Sequence, residues 1–224
     1  MKISNLQKSF GRFSLHIQDV ELHSGQIYGL IGANGCGKST TIKLLAGLIK
    51  PDTGAIDYEE LDPRGITLVP QKPYMMRDTV MANLTYPLKI RKIKPDKALL
   101  DHFLELAGLQ DLQQAYAPGL SSGESQKLAL IRAMVFSPKL IFVDETFSNM
   151  DMESQARFEK YVLETQNISP VTWVIISHQL STIKRMCRYT FFMENGEIKE
   201  EGETDVILST PKTPSLEIYL NFLN

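Results

Sequence analysis

An eight-residue glycine-rich stretch restricts this chain's fold more than any other feature. Gly32-Ala33-Asn34-Gly35-Cys36-Gly37-Lys38-Ser39 spells G-x-x-x-x-G-K-[ST], the phosphate-binding loop of nucleotide hydrolases. The glycines let the backbone wrap closely around a phosphate with its N–H groups turned inward. Lys38 sets one cation against the β- and γ-phosphates, and the Ser39 hydroxyl is a ligand for Mg²⁺. Such a loop works only between a buried strand and a helix, and both are present. Gln26 to Ile31 is an apolar strand entering the loop. Ile42, Leu45, Ala46 and Ile49 follow at helical spacing and form the apolar face of a helix leaving it. That helix directs its positive end at the phosphates. A chance glycine-rich turn would not be framed on both sides.

The rest of the chain supplies a parallel sheet for this unit. Phe13, Leu15 and Ile17 alternate with polar residues, as do Val20 and Leu22, so the stretch before Ile31 is β-structure. Pro51 to Gly54 forms a turn, and Ile66 to Val69 a short strand. The pattern then becomes helical to about Ala133, with Leu99, Leu100, Phe103 and Leu106 on one stripe and Gly108 as a stop. Lys139 to Asp144 and Val171 to Ser177 are apolar enough to be buried on both faces of a parallel sheet. Phe158, Tyr161 and Val162 between them fit a crossover helix. Phe191-Phe192-Met193, Asn195-Gly196 and Ile198 read as a hairpin.

Bulk properties exclude several classes. The 224 residues suffice for one sizeable core, and a net charge of −2 does not advertise a nucleic-acid surface. Two cysteines are too few for a disulfide scaffold, which points to a reducing compartment. The first residues lack the apolar stretch of a signal peptide, and no apolar run approaches the roughly 20 residues of a membrane span. Any membrane association is therefore expected through a partner.

Further segments narrow the chemistry. Leu140 to Asp144 is an apolar strand ending in an acid, with Glu145 next. Asp144 suits Mg²⁺ coordination, and Glu145 suits orienting or deprotonating an attacking water. Leu120-Ser121-Ser122-Gly123-Glu124 precedes a helix carrying Leu128, Ile131 and Val135. Ser121 and Glu124 form a capping box, and the same helix end offers an anion site; the two readings are compatible. Cys36, beside Lys38 and a helix N-terminus, is expected as a reactive thiolate whose alkylation blocks turnover, or else as a small residue filling the loop.

Taken in order, these motifs resemble the ATP-binding cassette family, the ATPase subunits of membrane transporters, over essentially the whole chain. They are the phosphate loop, Gln71 as the Q-loop, Leu120 to Glu124 in place of LSGGQ, Leu140 to Asp144 with Glu145 after it, Ser148-Asn149-Met150-Asp151 as the D-loop, and His178 as the switch histidine. The resemblance implies an α/β phosphate-loop NTPase fold with a three-layer core. An N-terminal antiparallel β subdomain shares residues 1–72 and 133–224 with that core, and a helical subdomain is inserted at about 73–132. It implies ATP and Mg²⁺ as cofactors, with Asn34, Gly35, Cys36, Gly37, Lys38, Ser39 and Thr40 around the phosphates. Ser39, Gln71 and Asp144 would serve the metal, Glu145 would be the general base, and His178 would contact the γ-phosphate. Ser121 and Gly123 would bind the γ-phosphate held by the opposite subunit. Phe10 is the aromatic expected on adenine, with Phe13 as its rival.

The implied activity is ATP hydrolysis by a pair of cassettes, in the simplest case two copies of this chain. The pair would drive a transmembrane permease from the cytoplasmic face of the membrane and bind no nucleic acid. The stretch Gln71 to Val80 with Asn83-Leu84, and Glu145 to Ser148, are similar to importers of small ions, including oxyanions such as tungstate or phosphate. Departures are Ser122 and Glu124 in the signature, Thr146 where a proline commonly stands, and a short segment from Asp57 to Pro63. Alternatives are a soluble cassette, a regulatory cassette without turnover, and a different phosphate-loop enzyme. The last lacks support, because no Asn-Lys-x-Asp guanine-reading segment is present.

Overall fold

The computed structural model describes residues 1–223; Asn224 and the side chains of Asn149 and Leu223 lie outside it. The elements run β1 (Lys2–Phe10), β2 (Phe13–Ile17), β3 (Val20–Glu21), β4 (Ile27–Ile31), α1 (Lys38–Leu45), β5 (Thr53–Asp57), β6 (Ile66–Val69), α2 (Val80–Arg91), α3 (Lys97–Ala107) and α4 (Ser122–Met134). They continue with β7 (Leu140–Asp144), α5 (Met152–Gln166), β8 (Thr172–Ile176), α6 (Leu180–Met186), β9 (Tyr189–Glu194), β10 (Glu197–Glu203), α7 (Thr204–Ser209) and α8 (Pro214–Leu223). The fold is α/β, with the strand-loop-helix unit of phosphate-loop NTPases at β4 and α1.

Two compact units are present. One comprises residues 1–68, 139–144 and 170–224, the other 69–138 and 145–169. In the first, the sheet order is β3-β1-β2-β10-β9-β4-β8-β7-β6, with β5 also on β1. β4 pairs in parallel with β8 and β9, and β7 with β8. β4, β7 and β8 are buried along their whole length, which is why they read as continuous apolar runs rather than alternating ones. β1 pairs antiparallel with β2, β3 and β5. Ile3, Leu6, Leu15 and Ile17 from this part join Leu30, Ile42, Phe142 and Ile176 in one apolar core.

Register decides what the sheet can present. Leu30 pairs with Ile176, and Asp144 pairs with the same Ile176. The chain leaves β4, β8 and β7 at one level, so the glycine loop, Ser177-His178 and Asp144 share the carboxyl edge of the parallel strands, where α/β folds bind ligands.

In the second unit α4 packs against α2 and α3, and α3 against α5. Leu84, Leu100, Phe103, Leu128, Ile131 and Phe158 are buried there. Gly108 closes α3 in the left-handed conformation, as its position predicts.

Two local expectations change. The stripe through Ile49 predicts a longer helix, but α1 stops at Leu45 and the chain turns at Gly47 with φ 70°; Ile49 still packs on the core from outside the helix. Gly54 is not a turn residue but lies inside β5. A side chain there would meet the Asn5 carbonyl oxygen at 2.2 Å, so the glycine allows β5 to approach the irregular register of β1.

The C-terminal helix is anchored by one carboxylate. Glu200 accepts hydrogen bonds from Lys212 N–H, Thr213 N–H and the Thr213 hydroxyl, just ahead of α8. Partial burial pushes this carboxyl up, and the hydrogen bonds outweigh it, so it titrates below the ordinary carboxylate range. Glu200→Ala is expected to cost about 1 kcal/mol, the size of a lost helix cap. Because the folded carboxyl titrates low, its contribution is present at neutral pH and lost as pH falls through that lowered value. Denaturant titrations should therefore separate the two proteins at pH 7 and bring them together in acid.

Candidate functional site

Backbone geometry builds the phosphate loop. Gly32 has φ 148° and Gly37 φ 113°, conformations that L side chains rarely adopt. A side chain at Gly32 would meet the Met193 carbonyl at 2.1 Å, and one at Gly37 the Phe13 ring at 2.9 Å. The β9–β10 hairpin braces the loop: Gly196 N–H donates to the Cys36 carbonyl at 2.9 Å, and the Gly196 carbonyl accepts from His16 N–H at 2.8 Å. Ala33, Asn34 and Gly35 form the exposed tip, and Ser39 and Thr40 are half-buried.

Lys38 is 6% exposed, and its ammonium donates to the carbonyls of Gly32 at 2.7 Å and Ala33 at 2.9 Å. A buried cation needs such partners, and here they are the loop's own acceptors. The first turn of α1 carries no acidic residue, so its positive end is not neutralised locally. The Ser39 hydroxyl donates to Asp144 Oδ1 at 3.1 Å, with Asp144 buried at the end of β7. His178 is half-buried and follows Ser177, whose hydroxyl accepts from Gln179 N–H at 3.0 Å.

The reactive-thiolate expectation for Cys36 is overturned. Burial pushes its thiol up, and Lys38, whose ammonium lies 3.9 Å from the sulfur, pulls down without prevailing. That ammonium is already engaged by two carbonyls, which limits its effect on the sulfur. The aromatic rivals take different places. Phe10 ends β1, is 46% exposed and has the Lys8 ammonium 5.6 Å from its ring centroid, whereas Phe13 packs against Gly37 and the core.

The second unit brings Gln71 and Glu145 together: the Gln71 amide donates to Glu145 Oε2 at 2.7 Å. Glu145 sits at φ 52°, a strained conformation for a residue other than glycine, and its carbonyl accepts from the Ser148 hydroxyl at 2.7 Å. Thr146 is fully buried behind it. Ser121 is the N-cap of α4 and both halves of the capping box form, the Glu124 carboxylate accepting from Ser121 N–H at 2.8 Å. Those hydrogen bonds hold Glu124 below the ordinary carboxylate range. The unexpected acid is thus turned back on its own helix end. Ser122 is exposed, and Gly123 lies in the first turn. Asp151 caps α5 through Ser154; the Asn149 side chain, also in the D-loop segment, lies outside the described residues.

Two residues escaped sequence reading. Gln126 and Arg132 of α4 both reach the segment after β6: Gln126 Nε2 donates to the Gln71 carbonyl at 3.2 Å, and Arg132 to the Tyr74 carbonyl at 2.9 Å. A glutamine on the buried side of a helix was the available signal.

Residues 15–148 match the family described as ABC transporter. The chain is 33% identical to the tungstate uptake system ATP-binding protein TupC of Peptoclostridium acidaminophilum, over 91% of this chain and 97% of that protein. It is 31% identical to the methionine import ATP-binding protein MetN of Escherichia coli (strain K12), over 98% of this chain and 70% of that one. Among solved structures, a nucleotide-free ATP-binding cassette from an ABC transporter superposes with TM-score 0.76 at 26% identity, covering 96% of this chain and 97% of that one. A dimeric post-hydrolysis cassette bound to ADP and Pi has the same fold, with TM-score 0.79 at 21% identity over 91% of this chain and 98% of that chain.

Burial of Cys36 and Cys187 has a direct consequence. Alkylation of the native protein at neutral pH should be at least about tenfold slower than that of the urea-unfolded chain, because reaction needs an accessible thiolate. Mass-spectrometric counting of modified cysteines over time checks this.

Proposed function

The chain belongs to the ABC transporter family and is an ATPase of that family, and we propose that it is the motor subunit of an importer for a small oxyanion. The observation that carries the ATPase chemistry is the carboxyl edge of the parallel sheet, where buried Lys38 stands inside its glycine loop and Ser39 meets Asp144. In this reading Lys38 exchanges loop carbonyls for the β- and γ-phosphates, while the loop N–H groups from Asn34 to Thr40 take the remaining charge. Phe10, an exposed aromatic residue, is the adenine platform.

Ser39 and Asp144 offer hard oxygen donors about one hydrogen bond apart, which fits Mg²⁺ arriving with ATP. Gln71 would join them. Among the described residues no cluster of three or more His, Cys, Asp or Glu forms a ready-made metal cage. That suits Mg²⁺, which keeps phosphate and water ligands. Bound there, it would neutralise phosphate charge as the terminal bond breaks.

Glu145 accepts a proton from water as the water oxygen attacks the γ-phosphorus and the bond to ADP breaks, giving ADP and phosphate. Gln71, hydrogen-bonded to that carboxylate, orients it. His178 contacts the γ-phosphate. Ser121 and Gly123 supply donors to the γ-phosphate of a nucleotide on a second cassette, so two copies complete two sites. Among the described residues no helix is long and apolar enough to cross a membrane. Attachment to the membrane is accordingly assigned to a permease subunit. The cargo assignment rests on the tungstate relative, which aligns along nearly its entire length. Methionine import is the second reading, favoured by the relatives at 31% identity.

Glu145→Gln preserves shape and hydrogen bonding but removes the base. Its kcat should fall by about 10²–10⁴-fold while ATP affinity is kept, measured by phosphate release and nucleotide binding. Hydrolysis within a few-fold of the unmodified protein would remove Glu145 from that role. For cargo, the chain should be reconstituted in vesicles with its co-purified permease and binding protein. Tungstate or a like oxyanion should stimulate ATP turnover and methionine should not; the reverse pattern establishes the second reading.

A further inference from the structure

We propose that Gln126 is a positioning residue that aims the Gln71 side chain at Glu145 and so ties the base to the helix bearing the signature; this rests on the ATPase reading above. Three hydrogen bonds define the arrangement. Gln126 Nε2 donates to the Gln71 carbonyl at 3.2 Å, the Gln71 amide donates to Glu145 Oε2 at 2.7 Å, and Arg132 holds the Tyr74 carbonyl at 2.9 Å. Gln126 and Arg132 both belong to α4, so one rigid element grips the segment from Gln71 to Tyr74 at both ends. Asn83 extends the grip to Met76, accepting from its N–H at 2.9 Å and from Arg132 at 3.1 Å. Ser121, the N-cap, starts the same helix five positions before Gln126.

Packing alone is a poor account of Gln126. Its side chain is 2% exposed, and among the described residues its Oε1 has no hydrogen-bond partner. A methionine would fill that volume without a desolvated acceptor, since burying an unpaired polar atom is costly. The amide is explained if its donor fixes the backbone from which Gln71 reaches Glu145. Its acceptor then stands ready for a donor of the same segment when that segment shifts. A displacement of α4 at Ser121 would pass through Gln126 to the Gln71 carbonyl and alter the contact with Glu145. In this proposal Gln126 acts through Gln71 and not on the nucleotide itself.

The test is a double-mutant cycle on ATP turnover by the full chain. Gln71→Ala deletes the amide that reaches Glu145 but keeps the carbonyl that Gln126 holds. Gln126→Met keeps volume and cannot donate. Alone, Gln126→Met should lower kcat about tenfold or more, as misplaced catalytic groups do, with KM for ATP within about twofold. In the Gln71→Ala background it should change kcat by less than about twofold, because the two act in series. Should Gln126→Met fail to fold, Gln126→Leu, which is also apolar and cannot donate, replaces it. Multiplying losses, or a lowered melting temperature with kcat intact, overturn the proposal. No turnover by the unmodified chain, or full kcat in Gln71→Ala, overturns the catalytic reading itself and this inference with it.

Discussion

Three parallel strands ending in register are the constraint on which the first unit depends. Because Leu30 and Asp144 both pair with Ile176, the exits of β4, β7 and β8 fall at one level. A slip of one residue in either pairing would turn every side chain of a strand to its other face. Asp144 would then leave Ser39, and the buried runs would still be buried. Backbone contacts outside the ladder also pin this register. Pins visible in the structure lie at the strand starts, where Lys139 N–H donates to the Gly65 carbonyl, Thr172 N–H to the Lys139 carbonyl, and Trp173 N–H to the Gln26 carbonyl.

Electrostatic satisfaction follows one pattern in both units. Positively charged or donor-rich groups are paired with nearby acceptors from the chain itself. Lys38 uses the carbonyls of its own loop, and the N-terminus of α4 uses Glu124. A phosphate approaching either place must compete with an existing partner, and the exchange costs less than desolvating a bare charge. The Ser39–Asp144 contact similarly keeps two oxygens together at the distance of a hydrogen bond.

Most of the architecture was legible because its signals are local. The loop announces its flanking strand and helix, continuous apolar runs announce buried strands, and Asn195-Gly196 announces the hairpin whose two turn residues adopt positive φ. What sequence reading missed depends on distant neighbours. Gly54 punctuates nothing; it yields space to Asn5. Ile49 keeps the helical period after the helix has ended at Leu45. Cys36 has an activating sequence neighbourhood, yet its burial raises the thiol instead. Gln126 belongs to no recognised pattern, because its significance lies in a carbonyl 55 positions earlier.

The placement of β4 also dictates an order of assembly. The strand that delivers the phosphate loop lies between β8 and β9, and the loop leans on the Gly196 turn. All three come from the last third of the chain. A ribosome that has released only the first half of this polypeptide has made the loop without either strand that flanks it. Closing such long separations is slow, because chain entropy is lost before the contacts compensate. Nucleotide that binds the finished loop therefore favours chains in which β8, β9 and the Gly196 turn are already in place.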